Sequence, residues 1–403
     1  MAGAVDTSSI VALLTALVRM PSRGGVDACA PIADCVEAWF GARHVPTRRL
    51  VSASGEPLGV YVEIRGAPNG PGNGHHYLLN ATLDTASFGD ESTWTHPPLG
   101  AHIENGWLYG RGSADSKAAV AIFAHLAAAF ARCTDAFAGT LGVLFDLDEH
   151  TGRFGGARAF FDAADAPRPD GVLIGYPGIG RIVVGARGFA RARLVVRGIA
   201  AHSGSGSTRG LNAAIRGAHL AKALSDAALP DDGTFGRPAQ LTITGIRSGD
   251  GTFTSVPDRC ELSVDCRLTP GFDAAHAQRL VSSIVRAHDA RYDASLATSI
   301  EWMAGWPAYR VDDAHPLAAA LFDAASGELG DEPGIELPRA VAGPSNIGNY
   351  LASLGVPALC GFGVRCEGIH AADERIELAS IAPVYRVYER ALLALLEPKP
   401  ARA

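Results

Sequence analysis

Two short apolar runs each end on an aspartate, and that pairing limits the fold more than any other feature of the chain. Residues 77–83 (YLLNATL) lead into Asp84, and residues 140–145 (TLGVLF) lead into Asp146. Runs of this length bounded by turn residues read as buried strands. Between them, residues 116–132 carry Ala and other strong helix formers, which predicts a long helix following Asp115. Residues 9–19 and 31–41 read as further helices, and residues 171–174 as a third buried strand. Strands alternating with helices define an α/β fold: a mixed, largely parallel sheet flanked by helices. Open sheets of this kind place their chemistry at the carboxyl ends of strands. Asp84, Asp115, Glu149 and His150 all fall at or just beyond such ends.

The pattern changes near Gly188. Residues 189–197 alternate as a half-buried strand, 211–223 read as a helix, 240–246 and 260–268 alternate again, and 274–288 read as a helix. This order predicts a second, α+β region with a small antiparallel sheet and helices on one face. A length of 403 residues agrees, being too long for one ordinary core. Residues 66–74, rich in Gly, Asn and Pro, read as a hairpin loop.

Composition excludes several functions. A net charge of −7 argues against a nucleic-acid partner, because phosphate binding needs a basic surface. No stretch reads as long and apolar enough to cross a bilayer. Residues 10–18 are apolar but follow an acid and precede no cleavage signature, so they read as an amphipathic opening helix rather than a signal peptide. The seven cysteines are scattered, odd in number and without a CxxC pair, which suits reduced thiols in a cytoplasmic protein. Cys260 and Cys266 fall on one face of one predicted strand, where packing explains them better than metal.

Three segments carry the chemistry: Leu108-Tyr109-Gly110-Arg111-Gly112-Ser113-Ala114-Asp115-Ser116-Lys117, then Asp148-Glu149-His150-Thr151-Gly152, then His370-Ala371-Ala372-Asp373-Glu374. Together they resemble the motifs of the two-zinc aminoacylase and carboxypeptidase family, which includes acetylornithine deacetylase, succinyl-diaminopimelate desuccinylase and glutamate carboxypeptidase. The resemblance runs through nearly the whole chain. It takes in residues 17–22 (LVRMPS), Trp94 with Pro97-Pro98-Leu99, residues 198–203, Asn212, Val256-Pro257-Asp258, Asp265-Cys266-Arg267 and Pro270-Gly271. It implies a catalytic domain formed by residues 1–186 and 301–403, with residues 187–300 inserted as a lid and dimerisation domain.

The resemblance also marks departures. One of the family's two zinc sites uses a histidine, a bridging aspartate and an acid. Here Thr82 stands where the histidine belongs and Tyr176 where the acid belongs. A neutral hydroxyl and a phenol with a reference pKa near ~10 are poor zinc ligands, so that site is expected to be empty. The other site keeps Asp115, His150 in place of a glutamate, and His370. Two imidazoles and a carboxylate with an open position form a workable mononuclear site. The expected cofactor is therefore one divalent metal, zinc first, with a metal-free site as the alternative. Glu149 matches the family's general base, and Asp84 its residue for orienting a ligand. Read from the residues alone, Glu149 could also be a helix-capping acid and Asp84 an ordinary strand-end acid.

The lid points to a small substrate with a carboxylate. His202 matches a histidine that reaches across the family's dimer to the scissile carbonyl oxygen. Arg187 and Arg267 lie near positions that bind a free carboxylate in relatives, and guanidinium grips carboxylate bidentately. Arg267 has an alternative role in a salt bridge with Asp265 or Asp258. Thr254 replaces a lid asparagine, and Ser345 with Asn346 lies in a loop that departs from the family's pattern. Three readings follow: a one-metal amide hydrolase for an N-acyl amino acid or small peptide, a metal-independent descendant doing acyl transfer or condensation, and a non-catalytic carboxylate-binding dimer.

Overall fold

A computed structural model describes residues 5–67, 75–163, 166–204, 210–230, 233, 235–330 and 336–396. Most of the expected hairpin loop, residues 68–74, lies outside them. The chain divides into two compact units. One comprises Met1–Gly185, Val311–Ala340 and Asn346–Ala403; the other comprises Ala186–Arg310 with Val341–Ser345.

The first unit is built on a six-stranded sheet. Its spatial order is Arg48–Val51, Pro57–Arg65, Thr140–Asp146, His76–Thr82, Gly171–Ile174 and Ala358–Cys360. The first two pairings are antiparallel and the last three parallel. Every residue of His76–Thr82 is buried, as expected for a central strand covered on both faces. Among the covering helices are Ala30–Gly41, Ala118–Ala131 and Ile381–Leu396, with Thr7–Val18 packed on Ala118–Ala131.

The expected helix over 116–132 starts later. Asp115 and Ser116 have non-helical backbone angles, and the regular helix runs only over Ala118–Ala131. This also corrects the reading of the chain as free of bilayer-length apolar stretches. Residues Ser113–Ala131 have that length and composition, yet 89% of the stretch is buried inside the fold. Fourteen helical residues rise only about 21 Å, short of a ~30 Å hydrocarbon core. It is a core helix.

The second unit carries a four-stranded antiparallel sheet in the order Gln240–Ser248, Arg259–Leu268, Gly188–Arg197, Ser299–Trp302. Burial alternates along Gly188–Arg197. Leu194, Val196, Leu262 and Val264 therefore share one face with Leu220, Leu224, Val281 and Val285 from helices Ala213–Ser225 and Ala274–Asp289. Cys260 and Cys266 belong to the same core. All seven cysteines are free thiols.

Candidate active site

The site grows from the turn between Gly110 and Lys117. Gly112 has φ 79°, and a Cβ there would sit 2.4 Å from Thr85 Cγ2, so only glycine fits this bend. After it, the Asp115–Ser116 peptide is cis. Three distant segments hold this turn. Ser116 Oγ accepts from Thr82 N at 3.0 Å and lies 3.2 Å from Thr82 Oγ1. Lys117, fully buried, donates to Leu17 O at 2.9 Å and Met20 O at 3.0 Å. Both carbonyls lie at or just past the end of the opening helix, where backbone acceptors outnumber donors; Leu17 O also accepts from Met20 N at 3.2 Å. Burial pulls the Lys117 ammonium down to about 7. Glu374 Oε1 accepts from the backbone N–H of Ala114 at 2.9 Å and of Asp115 at 3.1 Å.

Glu374 is paired in turn with Arg111 at 2.6 Å, both side chains being almost wholly buried. Arg111 also donates to Ala371 O at 3.0 Å. This ion pair clamps the loop bearing His370 onto the turn bearing Asp115. A buried pair of this kind is costly to break one partner at a time, by roughly 3–5 kcal/mol.

Asp84 organises the other side. Its carboxylate is fully buried and accepts from the backbone N–H of Glu149 at 3.1 Å and of His150 at 2.8 Å. The turn is fixed further by Asp146, which accepts from Asp148 N at 2.8 Å and Ala157 N within hydrogen-bond range. Helix Gly155–Phe161 starts at Phe154 without a side-chain cap, so Glu149 is not a capping acid.

These frames bring Asp115, His150 and His370 together, with one ligand atom from each inside a 4.8 Å span. His370 Nε2 lies 3.0 Å from Asp115 Oδ2, and His150 Nε2 lies 3.6 Å from the same oxygen. His150 Nδ1 is 3.4 Å from both Asp84 Oδ2 and Glu149 Oε2. Both ring nitrogens of His150 and Asp115 Oδ1 are buried without a hydrogen-bond partner. Buried polar atoms are seldom left that way.

The charges follow from this crowding. Burial opposes a charge on His150, but the Asp115 and Asp84 carboxylates outweigh it and push the imidazolium up to about 11. Burial likewise works against the Asp115 carboxylate, but the neighbouring His150 and His370 imidazoles outweigh it and hold the carboxylate well below the usual range. Burial raises Glu149 to about 7 despite the neighbouring His150 charge and a hydrogen bond from Tyr176. The Tyr176 hydroxyl donates directly to Glu149 Oε1, and its own ionisation is pushed far above the ordinary phenol range by burial and the Glu149 charge. The Arg111–Glu374 ion pair and the Tyr176–Glu149 bond escaped sequence reasoning, although Arg111 and Glu374 both stand in the motifs. Tyr176 was read there only as a lost ligand.

The remaining expected residues are placed as follows. Asn346, in the first unit, caps helix Ile347–Ser353 in a reciprocal box with Asn349, and its amide also reaches Cys360 Sγ at 3.1 Å. In the second unit, Arg267 binds Asp265 at 2.7 Å, an acid also held by Arg191 at 2.8 Å. Arg187 donates to Gly343 O at 3.1 Å and Pro238 O at 3.2 Å, and its own carbonyl accepts from Ser345 Oγ at 2.7 Å. His202 is exposed on the two-residue strand Ala201–His202, paired with Ser255–Val256. Thr254 O accepts from Ser203 N at 2.8 Å in the same corner.

A mixed α/β unit with an acid-and-imidazole cluster at its strand ends, carrying a separate antiparallel unit, defines a hydrolytic enzyme of the metallopeptidase and aminoacylase type. The chain belongs to peptidase family M20/M25/M40, whose model matches residues 78–394. It is similar to a succinyl-diaminopimelate desuccinylase of Paracoccus denitrificans (strain Pd 1222), at 25% identity over 82% of this chain and 87% of that one. Its fold is similar to the M20 family metallo-carboxypeptidase Sso-CP2 of Sulfolobus solfataricus, with TM-score 0.76 and 18% identity over 96% and 99% of the two chains. It is also similar to the YXEP protein of Bacillus subtilis, a dinuclear metal binding peptidase of the M20 family, with TM-score 0.71 and 15% identity over 97% and 99%. The chain is thus a metallo-amidohydrolase acting on acyl amino acids or peptides.

Proposed function

We propose that the enzyme is a one-metal amide hydrolase for an N-acyl amino acid or small peptide with a free carboxylate, holding zinc between Asp115, His150 and His370. The observation that carries this reading is the set of unsatisfied buried atoms: both His150 nitrogens and Asp115 Oδ1, within a cluster whose ligand atoms span 4.8 Å. Two imidazoles and one carboxylate suit zinc and leave a coordination position open. A cation there replaces the proton that His150 otherwise carries, so uptake releases protons. When bound, zinc supplies Lewis-acid polarisation of the scissile carbonyl and a more acidic water.

A second cation is disfavoured by Thr82 and Tyr176. Thr82 Oγ1 is engaged with Ser116 at 3.2 Å, and the Tyr176 hydroxyl is spent on Glu149.

In this reading Glu149 takes the proton from the attacking water and delivers it to the leaving nitrogen. A carboxylate tuned to about 7 can both accept and return a proton near neutrality. Asp84 positions the backbone of Glu149 and His150 together. On the second unit, His202 is the proposed donor to the developing oxyanion, supplied by the partner in a homodimer, and Arg187 and Arg267 the proposed carboxylate-binding groups.

The test is metal analysis of protein prepared without chelator, combined with two variants. Among the metal wild type holds, one equivalent of zinc should depend on His150. Glu149→Gln should keep that metal while losing roughly 10²–10⁴-fold in turnover of N-acyl amino acids. The reading fails if His150→Ala retains all the metal that wild type binds. Activity that survives a strong chelator but disappears in Glu149→Gln would select metal-independent acyl transfer instead.

A further inference from the structure

We propose that His96, His102 and Glu104 form a second, peripheral site for a borderline transition-metal cation, zinc or nickel in character, on the first unit. The three side chains offer ligand atoms that all lie within 4.8 Å of one another, and the catalytic reading uses none of them.

Local structure puts them there. His102 and Glu104 are two apart on strand His102–Glu104, so their side chains leave on the same face. That strand pairs with Trp107–Tyr109, His102 opposite Tyr109 and Glu104 opposite Trp107. Asn105 and Gly106 close the hairpin with φ of 51° and 82°, the tight two-residue turn that fixes register. His96 arrives from a neighbouring loop. Asp373 anchors that loop, accepting from Thr95 N at 2.8 Å and His96 N at 3.4 Å.

The rings of His96 and His102 stack with centroids 4.1 Å apart and planes inclined by 21°. His96 rests edge-on against Tyr109 at 4.6 Å. His96 Nε2 lies 3.4 Å from Glu104 Oε2. Tetrahedral zinc places its ligand atoms roughly 3.4 Å apart; the His96–Glu104 contact already has that spacing, and His102 offers a third atom within 4.8 Å of both. Arg375, whose guanidinium lies 5.2 Å from the Tyr109 ring, has its charge paired with Glu367.

A simple ion pair between protonated His96 and Glu104 is the competing explanation. It gives no role to His102, whereas a cation uses all three groups. The donor set also states its preference: imidazoles with one carboxylate favour zinc, nickel, cobalt or copper over magnesium or calcium. Occupancy would fasten the His96 loop to the hairpin. Through Asp373 it would steady the turn that presents His370.

The experiment uses the full chain, stripped with chelator, dialysed, and titrated with Co²⁺ and separately with Mg²⁺ by calorimetry. Wild type should take up two equivalents of Co²⁺ in all, one of them at this site, and no Mg²⁺ there. His102→Ala should take up one, and Glu104→Gln should weaken one of the two by at least tenfold. Both positions are exposed, so the far-ultraviolet spectrum should not change. His150→Ala should keep the peripheral equivalent. Uptake by His102→Ala equal to that of wild type overturns the proposal. A wild type that binds one equivalent, lost in His150→Ala, overturns it while leaving the catalytic reading intact. One equivalent lost in His102→Ala and kept in His150→Ala supports it and removes the catalytic metal instead.

Discussion

Tyr176 is the side chain whose role changed most between sequence and structure. Its hydroxyl stabilises the ionised form of Glu149, so its removal should be visible in the pH dependence. As the proposed base, Glu149 would work only when ionised, and the rate would therefore fall as pH drops through its pKa, here about 7. In Tyr176→Phe the carboxylate loses a hydrogen bond to a charged group. Its pKa rises, and the acidic limb of kcat/KM should move to higher pH by roughly one unit. A bound cation displaces the limb in both proteins, so the difference between them is the quantity to read. Limbs that superimpose would remove Tyr176 from the chemistry. Asp84 was legible in the sequence because the apolar run 77–83 ends on it, and Asp115 because it stands in one of the motifs that carry the family resemblance. The Tyr176–Glu149 bond was not, since a tyrosine after a buried strand looks like any core aromatic until its partner is placed.

Among the elements, the second unit's helix Ala213–Ser225 lies so close to its sheet that Gly217 has no room for a side chain. A Cβ there would fall 2.3 Å from Cys260 Sγ. Alanine gains about 1 kcal/mol of helix propensity over glycine, while overpacking costs about 1–3 kcal/mol. Gly217→Ala should therefore destabilise by about 1 kcal/mol in urea unfolding. In a Cys260→Ala background the same change should be neutral or stabilising, a coupling of at least about 1 kcal/mol. Equal effects in both backgrounds would mean that the helix shifts freely on the sheet. The alternation that predicted this sheet, and the shared face of Cys260 and Cys266, could be read directly because strand periodicity is local. The break at Asp115 and Ser116 could not. The residues after it are strong helix formers, and what holds the turn open comes from Thr82 and Glu374, the latter 259 positions from Asp115.

Across the whole molecule, a metal that binds only the folded chain must raise its stability by mass action. At a free concentration one hundred times the dissociation constant the gain is about 2.7 kcal/mol. Zinc-loaded protein should accordingly melt several degrees above the chelated form, and His150→Ala should lose most of that increment. Identical melting curves for loaded and chelated wild type would contradict a cation held by Asp115, His150 and His370. The turn around Asp115 has one further implication, for the chain during its synthesis. It is secured by the opening helix through Lys117, by a central strand through Ser116, and by Glu374 from near the carboxyl end. A ribosome must emit the chain past residue 374 before these anchors coexist. The proposed cation can then be captured only after residue 374 has emerged, and a nascent chain stalled before that point holds His150 without a cage around it.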